Sequence, residues 1–166
     1  MSKEPVSPIR TTDEEARQTA RHLLVEARHA ALGVIDPETQ GPMVTRIAIG
    51  LAEDGTPITF VSDLSAHSRA LRANPKASLL IGEPGAKGDP LTHPRLTLLA
   101  DAEEVPRKGA EHEALTQLWL RDHPKAKLYI GFGDFCFFRF HLSAIHLNGG
   151  FGKAYRLGPA DLGRTA

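Results

Sequence analysis

The chain has 166 residues, 41% of them hydrophobic and 24% charged, and its formal net charge at pH 7 is zero. This length and composition are typical of a single globular domain with one core. A neutral chain lacks the basic surface of a dedicated nucleic-acid binder, so we expect no nucleic-acid partner. No window approaches the roughly 18 uninterrupted apolar residues of a membrane span, so we expect no membrane partner.

Cys136 is the only cysteine, which excludes an intramolecular disulfide and a cysteine-rich zinc site. A lone thiol fits a reducing compartment, and the first fifteen residues contain no apolar leader segment. The sequence therefore predicts a cytoplasmic location and no metal site of its own.

The first element in chain order is a helix. Residues 1–11 are polar and are predicted to form a flexible tail, and Thr12 with Glu15 three positions later forms a capping-box pattern. An apolar stripe at three- and four-residue steps then predicts a helix over 13–31. That stripe consists of Ala16, Ala20, Leu23, Leu24, Ala27 and Ala31.

The rest of the chain is mainly predicted strand. In order, we expect strands over 32–36, 43–51 and 56–62, a helix over 65–73, strands over 77–82 and 95–105, a helix over 108–121, and a strand over 134–147. Helices do not alternate with strands, which argues against a doubly wound sheet. Long strands joined by hairpins must hide their edges, so the sequence predicts an α+β fold built on an antiparallel, Greek-key split β-barrel with peripheral helices. We expect a single domain over 12–158 and a tail over 159–166.

The stretch VSDLSAHSR, which starts at Val61, is the first candidate for a binding site. An apolar strand ends there in Ser-Asp and is followed at once by a short helix. Free backbone N–H groups and the helix dipole at such a break favour anions, so this stretch predicts a phosphate site. The alternative is that His67, Ser68 and Arg69 form the solvated face of a short helix.

Several motifs together resemble the FMN-binding split-barrel family, whose best-known member is pyridoxamine 5′-phosphate oxidase. They are Gly41-Pro42 and Thr45-Arg46 on a strand, the Asp54-Gly55 hairpin, the pattern F-x-S-D-L-x-x-H-x-R-x-L-x-x-N-P from Phe60, and the later PRLTL. The segments LWLRDHPKAKLYIGFGDFCFFRF and GGFGKAYRL are similar, more narrowly, to the haem-utilisation branch of that family. The resemblance covers residues 14–157.

The resemblance implies an FMN site and a homodimer with flavin sites at its interface. Its phosphate would lie at the strand-to-helix break, where the family's Arg-Lys pair is replaced by His67 and Ser68, and Arg46 would reach in from the preceding strand. Arg46 could instead be a solvated charge on an exposed strand face. The FMN-binding residues implied by the resemblance are Val44, Thr45, Arg46, Ile47, Ser62, His67, Ser68, Arg95 and Thr97.

Three functions stay open on this basis. The first is an FMN-dependent oxidoreductase of unknown substrate and electron donor, with no catalytic residue assigned. The second is a haem-binding or haem-degrading protein on the same fold, with His141 or His146 as candidate iron ligands. These two histidines have opposite parity on one predicted strand, so we expect them to face opposite sides of the sheet. The third is a non-catalytic flavin carrier.

Overall fold

The computed structural model describes residues 7–163; the outer parts of both predicted tails, residues 1–6 and 164–166, lie outside it. Helix α1 spans Glu14–Glu26. Its cap is Asp13, whose Oδ1 accepts a hydrogen bond from the Ala16 amide at 2.8 Å, and not the predicted Thr12. The prediction that the helix continues to residue 31 is wrong. Residues 29–31 instead begin a strand, and their backbone pairing in the sheet overrides the local helix propensity.

The remaining elements follow the predicted order, with additional short strands. Helix α2 spans Ala66–Ala73 and α3 spans Ala110–Asp122. Short 3₁₀ helices cover Pro90–Thr92, Pro124–Leu128 and Pro159–Leu162. The strands are β1 (Ile9–Arg10), β2 (His29–Ile35), β3 (Pro42–Ala48), β4 (Gly50–Leu51), β5 (Pro57–Ser62), β6 (Lys76–Ile81), β7 (Arg95–Glu104), β8 (Phe135–Asn148) and β9 (Ala154–Leu157).

Strand β8 is the point at which the sheet divides. The main path of the sheet has the strand order β1-β9-β8-β7-β6-β2-β3. A branch leaves this path at β8, which also pairs with β5, and β5 in turn pairs with β4. The first residues of β8 pair with β5 and its last residues pair with β9. Among the described strands every pairing is antiparallel except that of β1 with β9. This unclosed barrel with peripheral helices confirms the predicted α+β split-barrel fold.

Two apolar cores hold the barrel together. The larger core lies inside the curved sheet, where α1 contributes Ala16, Ala20 and Leu24. The smaller core lies under α3, where Phe60 contacts Phe137 with ring centroids 4.6 Å apart. One end of β8 therefore has side chains buried on both faces, whereas nothing in the described chain covers the outer face at its other end.

A β-bulge in β8 overturns the predicted orientation of the two late histidines. Leu99 of β7 pairs with Ala144, but Ala100 pairs with Leu142, so Ser143 is an extra residue. The bulge reverses the alternation of side chains, which is why both Phe140 and Ile145 are fully buried. As a result His141 and His146, predicted to face opposite sides, both lie on the outer face of the sheet.

Parts of the predicted tails contact the domain. Strand β1 pairs with β9, and Arg17 of α1 donates a 2.8 Å hydrogen bond to Asp161 in the last 3₁₀ helix. That bond lowers the pKa of the Asp161 carboxyl. The division into one domain and two short tails stays a prediction, with residues 9–10 and 159–162 ordered against the barrel.

Candidate functional site

The Ser-Asp corner at the end of β5 is held by an ion-pair network. Asp63 accepts hydrogen bonds from Arg72 at 2.5 Å and from Arg107 at 2.7 Å, and both arginines also contact Glu104. Hydrogen bonds from Arg107 and Arg72 hold the pKa of Asp63 below its usual range. We call Asp63, Arg72, Glu104, Arg107 and the adjacent Cys136 the Asp63 corner. Its charges are satisfied within the protein.

Cys136 is the buried member of the Asp63 corner. Burial raises the pKa of its thiol to about 12. The ligand atoms of Asp63, Glu104 and Cys136 lie within 4.8 Å of one another, as in a metal site. However, the two carboxylates already bind two guanidinium groups, whose positive charge opposes a cation at this position.

The predicted phosphate residues on α2 have other partners. Ser68 is fully buried, and its hydroxyl donates a 2.7 Å hydrogen bond to the Ser62 carbonyl. Ser62 in turn donates its own hydroxyl to Asp134 at 2.9 Å. These hydroxyls brace the chain at the strand-to-helix break. Their proposed contacts with a phosphate stay predictions.

His67 lies against Thr45, and its surroundings favour the neutral form of its ring. Its Nδ1 is 3.1 Å from the Thr45 hydroxyl, and burial lowers the pKa of its ring. The next residue, Arg46, projects to the opposite face of β3, because adjacent residues of a strand alternate. Strand β3 therefore separates Thr45 and the buried Ile47 from Val44 and Arg46, which the resemblance had placed in one site.

The outer face of the sheet presents exposed apolar side chains in register. Val44 is 69% exposed, Leu80 46% and Leu99 36%, values that are high for large apolar residues in a sheet. Strand pairing aligns them in two rows across β3, β2, β6, β7 and β8. We call this surface the open sheet face. It consists of the row Arg46, Ala31, Leu80, Thr97 and His146 and the row Val44, Gly33, Ser78, Leu99 and Ala144.

A groove of about 300 Å³ adjoins the β8 end of this face. Arg95, Thr97 and His146 line it together with Asn148 and Arg156. Its remaining lining residues, all in the described part of the chain, are Ile9, Leu147, Ala154 and Tyr155, so none of the lining residues is acidic. We call it the end groove. Two residues predicted as flavin contacts thus lie beside one predicted as a haem ligand.

The two histidines on the outer face differ in their partners. The His141 ring lies 2.5 Å from a carboxylate oxygen of Glu103. His141 itself pairs with Asp101 of β7 in the strand register. Within residues 7–163, the His146 ring has no hydrogen bond or ion pair. His146 is exposed and stands opposite Arg156 of β9 in register. It is therefore the better placed of the two to bind a ligand.

Arg156 is a groove residue that sequence analysis missed. The only available signal was a basic residue at an outward position of GGFGKAYRL, and nothing in the sequence indicated which strand would lie beside it. Similarly, the arginine partners of Asp63 lie nine and 44 positions further along the chain.

Comparison with known proteins establishes the family. Residues 11–162 match the family model described as "CREG, beta-barrel". The chain belongs to the CREG β-barrel family. No helix within residues 7–163 of this CREG-family chain is both long and apolar enough to cross a bilayer.

Two relatives carry names that refer to haem. The chain is 39% identical over 104 residues to the non-canonical heme oxygenase HOZ, chloroplastic, of Arabidopsis thaliana, an alignment that covers 61% of this chain and 30% of HOZ. A solved structure of a heme binding protein from Mycobacterium smegmatis is 27% identical, with a TM-score of 0.80, over 93% of this chain and 61% of that one. The chain thus spans less than two thirds of either relative.

A third similarity concerns the fold alone. A Clostridium acetobutylicum protein of the pyridoxinephosphate oxidase family has a TM-score of 0.67 at 16% identity, over 91% of this chain and 99% of that chain. Together, the three similarities confirm the resemblance to the split-barrel family and to its haem-utilisation branch.

Proposed function

We propose that this CREG-family protein binds haem on the open sheet face, where His146 would hold the iron. The observation that carries the proposal is the exposed apolar surface of that face, bordered by an exposed histidine that has no partner in the described chain. The haem-related names of HOZ and of the Mycobacterium smegmatis protein support it. This was the second of the three functions left open by the sequence.

The residues of the open sheet face fit the chemistry of haem. A porphyrin is flat and apolar, and small side chains such as Ala31, Gly33 and Ala144 allow a planar molecule to approach the sheet. A neutral imidazole is a usual iron ligand, and His146 is exposed. Bound haem would supply the iron and redox chemistry, while the protein would bind and orient it.

Homodimerisation is part of this proposal. Val44, Leu80 and Leu99 leave an apolar surface that a second copy could cover, enclosing a ligand between the two faces. Haem degradation, the activity in the name of HOZ, would be the enzymatic form of the same function. A cytoplasmic location, expected from the lone thiol, belongs to the proposal as well.

FMN binding, as an oxidoreductase or as a flavin carrier, is the alternative with less support. It is favoured by the fold similarity to a pyridoxinephosphate oxidase family protein. The predicted phosphate cradle, however, contains a buried Ser68 and a His67 whose pKa is lowered by burial. A phosphate there would meet less positive charge than the family's Arg-Lys pair provides.

Absorbance titration of the purified protein with haemin tests the proposal, with FMN titrated in parallel. We expect a saturable Soret band and a weaker or absent response to FMN. His146→Ala should weaken haemin binding by about tenfold or more, because loss of even an indirect support of a metal ligand costs about that much. His22→Ala, an exposed histidine on α1, is the matched control and should leave affinity unchanged.

Two outcomes would contradict the assignment. Saturable FMN binding without haemin binding would favour the flavin alternative. Haemin binding that is lost in His141→Ala but kept in His146→Ala would move the iron ligand to the other histidine.

A further inference from the structure

We infer that the end groove is an anion site that holds the carboxylate arms of the bound tetrapyrrole and so sets its orientation on the sheet. This inference rests on the proposed haem function and adds to it a group of residues with a defined task. The residues are Arg95, Arg156, Asn148 and Thr97, beside His146.

The charge of the groove is its first distinguishing property. Two arginines and one histidine line a volume of about 300 Å³, and no acidic residue is among the lining residues. The protein as a whole has equal numbers of acidic and basic residues. A local cluster of one sign, in a concave site, attracts a ligand of the opposite sign.

The two arginines play different parts. Arg95 donates from Nη1 to the Leu91 carbonyl at 2.9 Å and to the His93 carbonyl at 3.3 Å, so the preceding loop holds its guanidinium in place. The Arg156 side chain is exposed and, within the described part of the chain, has no hydrogen bond or ion pair. One cation is therefore pre-positioned and the other is free to close on a ligand.

The polar neighbours add hydrogen-bonding capacity. Thr97 and His146 face each other across the β7–β8 pair, and Arg95, two residues earlier in β7, faces Asn148. Side chains directly opposite on neighbouring strands lie about 5 Å apart. Guanidinium, amide and hydroxyl donors on one face can together bind carboxylate oxygens.

The opposite end of the open sheet face lacks these features. Arg46 stands there on the edge strand β3. The hollow of about 270 Å³ nearest that end is almost entirely apolar, and its Lys76 is paired with Asp101 at 2.7 Å. The β8 end combines unpaired positive charge with a concave shape, so the acidic edge of the ligand should point there.

The test compares haemin with haemin dimethyl ester, which keeps the macrocycle and iron but lacks free carboxylates. Both are titrated by absorbance into the wild-type protein, Arg156→Gln, Arg156→Lys and Arg46→Gln. The wild type should bind haemin about tenfold more tightly than the ester, as expected for loss of a charge-assisted hydrogen bond. Arg156→Gln should remove most of that preference, and Arg156→Lys should retain part of it.

Arg46→Gln is the comparison variant that tests the opposite orientation, because Arg46 is an exposed arginine at the other end of the open sheet face. It should keep the preference for haemin over the ester. If Arg46→Gln removes the preference and Arg156→Gln keeps it, the ligand is bound in the opposite orientation and the inference is overturned.

The experiment separates failure of this inference from failure of the haem function. Equal binding of haemin and ester to the wild type would overturn the groove assignment and leave haem binding intact. No binding of either would overturn the haem function itself. FMN and riboflavin form a further pair: tighter binding of FMN, dependent on Arg156 and without haemin binding, would show that the groove takes a phosphate instead.

Discussion

The Asp63 corner and the end groove both contain two arginines, yet they differ in what surrounds those arginines. In the corner, Arg72 and Arg107 each contact the carboxylates of Asp63 and Glu104. In the groove, Arg95 donates hydrogen bonds to two carbonyl groups, and the Arg156 side chain has no acidic partner in the described chain. Paired charges fix the fold, and unpaired ones remain able to bind a ligand. The carboxylate of Asp63, within the motif that suggested an anion site, is thus neutralised by arginines, whereas the end groove has no acidic lining residue in the described chain.

Chemical modification should show the largest difference between the two regions. Cys136 is fully buried and burial raises the pKa of its thiol to about 12, so the thiolate is scarce at pH 8. We expect iodoacetamide to alkylate it at least about a hundredfold more slowly in the native protein than in urea. His146, which is exposed, should react with diethylpyrocarbonate without denaturant. Rapid native alkylation, followed by mass spectrometry, would show that the corner opens.

Loss of one corner charge should lower stability more than loss of a surface charge. Asp63→Asn leaves two guanidinium groups with one carboxylate, and we expect the free energy of unfolding to fall by about 2 kcal/mol. Asp101→Asn removes a carboxylate that pairs with the exposed Lys76, and should cost less than about 1 kcal/mol. Urea denaturation of both variants measures the difference. Equal losses would mean that the corner is no more than a surface ion pair.

The same corner should contribute to acid sensitivity. Hydrogen bonds from the arginines lower the pKa of Asp63 and of Glu104 in the folded state. Groups of this kind contribute stability above their unfolded pKa, near 4, and lose it as pH falls through the lower folded pKa. The urea concentration at the midpoint of unfolding should therefore decline as the pH is lowered below about 5. The midpoint of the Asp63→Asn variant should decline less steeply over the same pH range. Parallel declines in both proteins would assign the acid sensitivity to other carboxylates.

The smallest change in the free energy of unfolding is expected when an arginine of the open sheet face or of the end groove is replaced. Arg46→Gln and Arg156→Gln remove exposed charges that have no acidic partner in the described chain, so the free energy of unfolding should change by less than about 0.5 kcal/mol. Thermal and urea unfolding measure this directly. A loss as large as that of Asp63→Asn would show that these arginines support the fold, and the contrast between the two regions would not hold.

Sequence patterns predicted most elements because they depend on local periodicity. The alternation along β7 and the apolar run of β6 identified both strands, and the Phe-rich segment identified β8. The end of α1 was missed because Ala27 and Ala31 continue a helical stripe, while sheet pairing governs the backbone from His29 onwards. The bulge at Ser143 was missed as well, since one extra residue leaves no mark in composition and yet reverses every side chain beyond it.

The candidate site was predictable only in part. Arg95, Thr97 and His146 were each named from the sequence, but for two different ligands. These three residues lie close together because of the register of β7 with β8. The register of β8 with β9 places Arg156 beside them. The packing of α2 buries Ser68 completely, a feature that the sequence did not indicate, and its contact with a phosphate stays a prediction.

The sequence by itself determined the fold class, the order of the elements and the family resemblance, because these depend on local periodicity and short motifs. The tertiary structure decided which charged side chains form ion pairs and which stay unpaired in the described chain. That outcome depends on strand register, on one bulge and on contacts between residues far apart in the chain, where the energy of a charge is set by its neighbours in space.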